Sequence, residues 1–287
     1  MAKDDPWKNI FPDKNTEYII VLDNGDILTG YIVEYINHPE YGEGIKFKTA
    51  IGVAEIYNYQ IESIKTREDN YRHGHRIFLL PTADPIGDNH FIGSFELLFI
   101  YIGAGIADIF SITAGRSVIP GISASQQLSV INIKATLYDE TFDEIKRHLS
   151  LAVGGNLGFA NSSNRLIHLY GVGTFKLKRT SVSASVFYKA GSADYYRINF
   201  YNEIIDMNYE DGSFGIGMGI DSRFSDIHGL HFIGELWNSN VSKPTHTGVL
   251  LGLRLCNSNF SADFGLAFFT QPFIAPFTSF VWTPFKY

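Results

Sequence analysis

The sequence predicts an all-β chain: an antiparallel up-and-down barrel of about twelve strands, of the kind that spans a membrane, preceded by a small SH3- or Sm-like β domain. Three observations carry this. The 287 residues include 27 Gly, 23 Phe and 16 Tyr but only 18% charged side chains, a mixture that suits many turns and much apolar strand surface. From residue 75 onward, apolar and polar residues alternate with the two-residue period of a strand. These segments exceed the ~5–6 residues of ordinary globular strands and match the ~9–11 needed to cross a bilayer on a tilt. Finally, near-absent connections alternate with long ones.

After a tail at 1–15, the small domain is expected over 16–68. Residues 17–36 read EYIIVLDNGDILTGYIVEYI, two apolar runs around Asp23-Asn24-Gly25-Asp26. Asn-Gly is the strongest short hairpin signal because both turn positions favour φ > 0. A second pair, GIKFKTAIGVAEIYNY, turns at Ile51-Gly52, and QIESIK closes the set. Five short strands of this kind make a small barrel; its D-N-G-D turn, Ile45-Lys46-Phe47-Lys48-Thr49 and Ile61-Glu62-Ser63-Ile64 resemble a small module of bacterial envelope proteins, and the resemblance implies binding or bracing rather than catalysis. Tyr57 and Tyr59 are candidates to contact an envelope protein partner, but simple packing is the first reading of aromatic rings at a strand end. Residues 69–74 form a polar connector. His73 and His75 lack a third nearby ligand, so no metal is expected.

The barrel is expected over 75–287, with strands near 75–80, 91–103, 105–117, 125–138, 146–159, 165–178, 180–190, 212–222, 228–238, 245–256, 258–269 and 276–287. In SFGIGMGID, Phe214, Ile216 and Met218 oppose Gly215, Gly217 and Gly219; in NFSADFGLAFF, Phe260, Phe264 and Phe268 oppose Ser261, Asp263 and Ala267. A soluble sandwich would put Lys, Glu or Thr on its outer face. A second face of glycine and serine suits the crowded lumen of a barrel instead, which turns Phe214, Ile216, Phe260, Phe264 and Phe268 towards lipid. On this reading Phe264→Asp blocks membrane assembly and Asp263→Asn is tolerated. Short turns near Gly103, between Lys178 and Thr180, and near Ser258 face long connections at PTADPIGDNH, PGISASQQ and residues 191–211. Both ends of the barrel then lie on the short-turn side, which would make the small domain periplasmic. DETFDEIKR at 139–147 departs from this as an overlong, potentially helical turn. Tyr287, with Phe285 and Val281 on its face, is similar to the aromatic C-terminal signal of bacterial outer-membrane proteins, while Pro284 interrupts it.

The run PTADPIGDNHFIGSFELLFIYIGAGIADIFSITAGRSVIPG carries Pro81, Thr82, Pro85, Ser94, Glu96, Leu97, Phe99, Gly105, Ile106, Asp108, Phe110, Ser111, Ile112 and Gly115. With HLSLAVGGNLG, YGVGTF (Tyr170 to Phe175) and the preceding small domain, it resembles outer-membrane β-barrel proteins of Bacteroidetes-type bacteria. The resemblance implies an envelope barrel in the outer membrane and supplies no catalytic residues. That family carries a signal peptide, whereas MAKDDPWKNIFPDKNTEY has no apolar h-region. The sequence is therefore read either as cytosolic or as a mature form, and the barrel argument favours the mature form.

A net charge of −7 without a basic run argues against nucleic acid. One cysteine, Cys256, leaves no internal disulfide or multi-cysteine metal site. Inward charges are expected at Glu96, Asp108, Lys134, Lys189, Asp221, Glu235, Arg254 and Asp263. Both signs occur, so ion pairs bracing the lumen are the first reading and a polar path for a small solute the second. No cofactor is implied and the chain is read as a non-enzyme whose partner is membrane lipid. The alternatives are a lipid-binding barrel, soluble or membrane-bound, and a barrel lipid hydrolase with His168, His228 or His231 as base, although no G-x-S-x-G elbow is present.

Overall fold

The computed structural model describes residues 16–66, 73–88, 90–142, 147–160, 164–177, 179–191, 195–200, 203–225, 229–257, 259–270 and 273–284. The chain divides into two compact units, one ending at residue 71 and the other beginning at 72.

The first unit contains β1 (Glu17–Leu22), β2 (Ile27–His38), β3 (Gly42–Thr49), β4 (Gly52–Tyr57) and β5 (Ile61–Thr66). They form one antiparallel sheet in the order β4-β3-β2-β1-β5. Tyr18, Ile20, Ile32, Ile45, Phe47, Ile56 and Ile61 build its core, so the five expected strands form. The ladder leaves β4 and β5 as edges. The first hairpin is not a two-residue turn: Leu22 N–H bonds the Asp26 carbonyl at 2.9 Å, and only Gly25 of the loop has positive φ, at 87°. Asn24 instead accepts from Asp26 N–H through its side chain, at 3.0 Å, the local role its short amide favours.

The second unit is a closed barrel of twelve antiparallel strands. They are β6 (Phe91–Glu96), β7 (Phe99–Ile106), β8 (Phe110–Ser117), β9 (Ser129–Phe142), β10 (Arg147–Ala160), β11 (Asn164–Lys176) and β12 (Thr180–Gly191), followed after a hairpin, β13 (Tyr195–Phe200) and β14 (Glu203–Asn208), by β15 (Phe214–Ser225), β16 (Leu230–Asn238), β17 (Thr247–Cys256), β18 (Phe260–Phe269) and β19 (Phe273–Trp282). Each barrel strand pairs with its chain neighbours, and β19 closes on β6. That seam spans four residue pairs, Ser279–Trp282 against Glu96–Gly93, where β10 and β11 share thirteen.

The total of twelve agrees with the expectation, but two strands are apportioned differently. Residues 75–80 are not a wall strand. The expected strand 91–103 is two strands, because the chain turns at Leu97 and Leu98, with Leu97 at φ 42°. Gly103 accordingly sits inside β7, opposite Thr113, rather than in a turn. An apolar run through FELLFIY hides this turn, since no glycine or proline marks it. The DETFDEIKR stretch is strand rather than helix at both ends: β9 extends through Phe142, which pairs with Arg147, leaving 143–146 as the connection.

The alternation of strand direction gathers at one rim the start of β6, the end of β19 and the facing strand ends of β7 and β8, β9 and β10, β11 and β12, β15 and β16, and β17 and β18. The other rim carries the facing ends of β6 and β7, β8 and β9, β10 and β11, β12 and β15, β16 and β17, and β18 and β19. One end of the barrel thus has uniformly short turns and the other has all the long connections. Of the expected C-terminal aromatic signal, Phe285 and Tyr287 lie outside the described residues. Val281 is buried at 3% exposure, while its neighbours Phe280 and Trp282 face outward.

Candidate functional site

Residues 73–88 run inside the barrel. The stretch forms a tight hairpin in which Ile77 N–H bonds the Leu80 carbonyl at 3.0 Å, Arg76 and Pro81 form a bridge, and Thr82 N–H bonds the His75 carbonyl at 3.2 Å. It starts at the short-turn rim, where His73 Nε2 lies 3.0 Å from the Asn257 carbonyl. It returns to the same rim at Asp88, beside the turn after β7. There Asp88 N–H bonds Asp108 Oδ1 at 2.5 Å and Ala107 N–H bonds Asp88 Oδ1 at 2.8 Å. Ala107 and Asp108 both have positive φ, at 55° and 54°, a strained pair for residues with side chains, which these bonds hold. Asp108 is therefore a turn residue exposed at the rim and not part of the lumen wall.

A chain segment inside a barrel brings its own backbone donors and acceptors, and each needs a partner. The wall supplies them. One oxygen of Glu235, Oε1, accepts three consecutive backbone N–H groups, from Phe78 at 2.6 Å, Leu79 at 2.8 Å and Leu80 at 2.9 Å. The Lys134 ammonium does the converse, donating to the carbonyls of His75 at 3.1 Å, Thr82 at 2.8 Å and Asp84 at 2.5 Å. Arg254 Nη2 donates to the Ile77 carbonyl. Thr136 Oγ1 donates to the Ala83 carbonyl at 2.7 Å, Ala83 N–H donates to Thr174 Oγ1 at 2.8 Å, and Ile86 N–H donates to Ser111 Oγ at 2.8 Å. Carboxylate against amides and ammonium against carbonyls are charge-assisted pairings, roughly twice as strong as neutral ones.

Apolar contacts complete the fit. Ile77 and Phe78 pack with Ile233, Leu250 and Ala267; Ala83 packs with Ala152, Tyr170, Val172 and Phe187; Ile86 packs with Ile92 and Tyr101. Small wall residues make the room. At Gly105 a Cβ would lie 1.5 Å from the Ile86 carbonyl oxygen, and at Gly219 it would meet Ile77 Cγ1 at 2.7 Å. The glycine- and serine-rich second face is the bed for this internal segment.

Ion pairs brace the same half of the lumen. Arg254 grips Asp263 with two hydrogen bonds, of 2.8 Å from Nε and 2.9 Å from Nη2, and reaches Asp221 Oδ2 with Nη1 at 2.9 Å. Ser279 donates to Asp263 at 3.0 Å. His231 Nδ1 lies 2.5 Å from Asp221 Oδ1 and its Nε2 lies 3.4 Å from Cys256 Sγ. Arg76, on the inner hairpin, pairs with Glu96 and donates to Ser94 at 3.1 Å, both on β6, while the Phe78 ring meets Phe277 of β19 at 3.8 Å. Asp84, on the internal segment, takes Lys176 at 2.5 Å and Ser150 at 3.1 Å. Lys189, towards the other rim, is buried with its ammonium 5.5 Å from the Tyr209 ring.

The structure therefore brings Lys134, Glu235, Arg254, Asp221 and Asp263 around the inner hairpin, keeps Glu96 at the seam beneath Arg76, and sets Lys189 apart. Asp263 is 1% exposed and its neighbour Phe264 55%. Phe214, Ile216, Phe260 and Phe268 are on the outer surface as well. Sequence reasoning missed the counterparts of these groups, the segment 76–86 itself. RIFLL has the look of a strand and PTADP of a loop, and period-two counting carries no signal for a chain that lies within a barrel. His228 lies outside the described residues, and His168 stacks edge-on with Phe187 at 4.6 Å.

On the long-connection rim, Glu210 ties two connections together. It accepts from Asn240 Nδ2 at 2.5 Å, pairs with Lys243 at 2.5 Å and has His246 at 3.3 Å. Burial alone would raise its carboxyl, but the hydrogen bonds from Lys243 and Asn240 and the nearby charges outweigh it and hold the pKa at about 2.

No protein-family model and no curated protein matches the chain. Solved structures do. A KdgM porin is 13% identical over 69% of this chain and 98% of its own, with a TM-score of 0.40. A NanC porin is 9% identical over 69% and 99%, with a TM-score of 0.41. Pseudomonas aeruginosa OprD is 10% identical over 97% and 96%, with a TM-score of 0.35. These are remote likenesses to other barrels, and they bring no function with them.

Proposed function

We propose that this protein is a bacterial outer-membrane β-barrel whose lumen is closed by its own segment 73–88, serving as an envelope scaffold or a restricted small-solute passage and not as an open pore. One observation carries the membrane assignment. Large apolar side chains cover the outside of the closed barrel, among them Phe95, Ile102, Ile133, Leu169, Val186, Ile216, Met218, Leu236, Leu251, Phe264 and Phe280, each at least 45% exposed. A monomeric soluble protein rarely leaves a contiguous apolar patch larger than a few hundred Å², whereas lipid requires this surface, and barrel closure gives every described wall strand two neighbours. The difference between the rims supports an orientation with the short turns periplasmic. The five-strand unit would add a module for an envelope protein partner. Reconstitution into phosphatidylcholine vesicles tests the assignment: the protein should insert, resist protease over its strands and show low conductance. A monodisperse, folded protein in detergent-free buffer would refute it.

One arrangement favours a second reading, a lipid hydrolase. Cys256 Sγ, His231 and Asp221 form a nucleophile–base–orienter chain. Release of fatty acid from phospholipid by the wild type, abolished by Cys256→Ala, would establish it.

A further inference from the structure

We infer that His75 is an acid-operated release for the internal hairpin: protonating its imidazole expels residues 75–84 from the lumen and opens the barrel. The inference rests on the plugged-barrel reading for its functional consequence and on the placement of His75 for its chemistry. His75 begins the tight hairpin, and its carbonyl is held by Lys134 at 3.1 Å and by Thr82 N–H at 3.2 Å. Its ring is buried at 8% exposure, and neither Nδ1 nor Nε2 has a hydrogen-bond partner among the described residues. The charged groups that act on the ring are all cationic or become so: Arg76 and His73 on its own segment, Lys134 on β9 and Arg254 on β17. Burial first, and these charges second, hold the imidazole well below its ordinary value.

The carboxylates in reach of that region are engaged. Glu96 pairs with Arg76, Asp263 and Asp221 with Arg254, and Asp84 with Lys176, while Glu235 gives Oε1 to the three amides of the hairpin tip and its Oε2 has no hydrogen-bond partner among the described residues. An imidazolium at His75 would therefore be a buried charge with no hydrogen-bond partner on either nitrogen among the described residues, in a pocket that already holds Arg76, Lys134 and Arg254. A group of this kind leaves for water where the chain permits it. Here the chain permits it, because both ends of the segment meet the wall at the same rim and no barrel strand has to open.

The sign follows from linkage. The released form binds the proton more readily than the plugged form, so acid favours release. Below the ordinary imidazole value the released fraction rises about tenfold per pH unit, until the buried ring itself titrates or release is complete. Acid also neutralises Glu235 and loosens its grip on the tip, so the test must separate the two groups.

The experiment measures two quantities on the full chain between pH 7.5 and pH 4. One is conductance in phosphatidylcholine bilayers. The other is hydrogen-exchange protection of the 77–84 amides in detergent micelles. The wild type should show a conductance increase and at least a tenfold loss of protection as pH falls, with the barrel-strand amides unchanged. His75→Phe, which keeps a ring of similar size without a titrating nitrogen, should stay closed to a lower pH; Glu235→Gln should leave the His75 step in place. Wild-type protection that is flat to pH 4, or an identical acid step in His75→Phe, overturns the inference. A protein that loses hairpin protection in acid yet never inserts into bilayers would sink the membrane reading and leave the switch standing.

Discussion

Glu235 and Lys134 act on the inner hairpin through its backbone, which makes their substitution unusually informative. A side chain that holds side chains can be replaced by a packed apolar pair, whereas three amide hydrogens cannot be removed. Glu235→Leu leaves the N–H groups of Phe78, Leu79 and Leu80 buried without an acceptor, and each costs about 1–3 kcal/mol. The expected outcome is loss of hairpin protection and a rise in conductance at neutral pH, measured by exchange and by bilayer recording. Glu235→Gln retains an oxygen at the same place and should keep the hairpin seated, with a smaller loss for the missing charge. Asp263 belongs to this class too. The sequence makes Asp263→Asn look harmless, because a lumen aspartate has the appearance of a solvated polar residue. In the structure it is half of a buried pair with Arg254, and breaking such a pair costs about 3–5 kcal/mol when one partner is removed outright. The Asp263→Asn side chain would keep one acceptor and Arg254 would keep Asp221, so the variant should insert into membranes but melt at lower temperature than the wild type.

At the level of elements, the strands were legible where one face alternates cleanly with the other. β10, β12, β15, β17 and β18 lie within a few residues of their expected bounds, because apolar and small residues change places at every step through them. Legibility fails in two physical circumstances. Leu97-Leu98 reverses the chain without a turn residue, so β6 and β7 merge in the sequence. RIFLL alternates with nothing, yet it is apolar because its side chains meet Ile233, Leu250 and Phe277 from within. The outward face can be tested on β18: Phe264→Asp places a charge on the apolar surface at mid-strand and should abolish insertion into vesicles, a penalty of about 2–4 kcal/mol for basic residues at the bilayer midplane and somewhat less for acidic ones. The long connections make a separate prediction. The Glu210 carboxyl is held at about 2, below its ordinary 4.5, so its contribution is present above pH 4.5 and is lost as pH falls towards 2. Protease nicking within 192–213 should therefore increase across that window, and Glu210→Gln should show the increase already at neutral pH.

For the whole molecule, the two units differ in what they ask of solvent. The five-strand unit builds its core from Ile20, Ile32, Ile45, Ile56 and Ile61, whereas the barrel turns many large apolar residues outward and buries Lys134, Asp221, Glu235, Arg254 and Asp263. The barrel's candidate site was half legible: the wall residues Lys134, Asp221, Glu235, Arg254 and Asp263 stood out as charges on apolar strands, but what they hold is invisible until the barrel is closed. The seam adds a last consequence. β6 is the first wall strand to be made and β19 the last, and their ladder is four pairs long. The segment just ahead of β6 touches both edges, through Arg76 on one and Phe78 on the other. Ends so far apart along the chain meet slowly, because loop closure is an entropic cost that rises with length. A hairpin docked beside β6 early in folding would offer the arriving β19 an aromatic landing point at Phe78. The inner segment would then be a tool of biogenesis as much as a stopper. Combined Arg76→Ala and Phe78→Ala substitution should slow the appearance of the heat-resistant folded band during refolding, while β9 through β12, whose ladders are long, gain exchange protection at the wild-type rate.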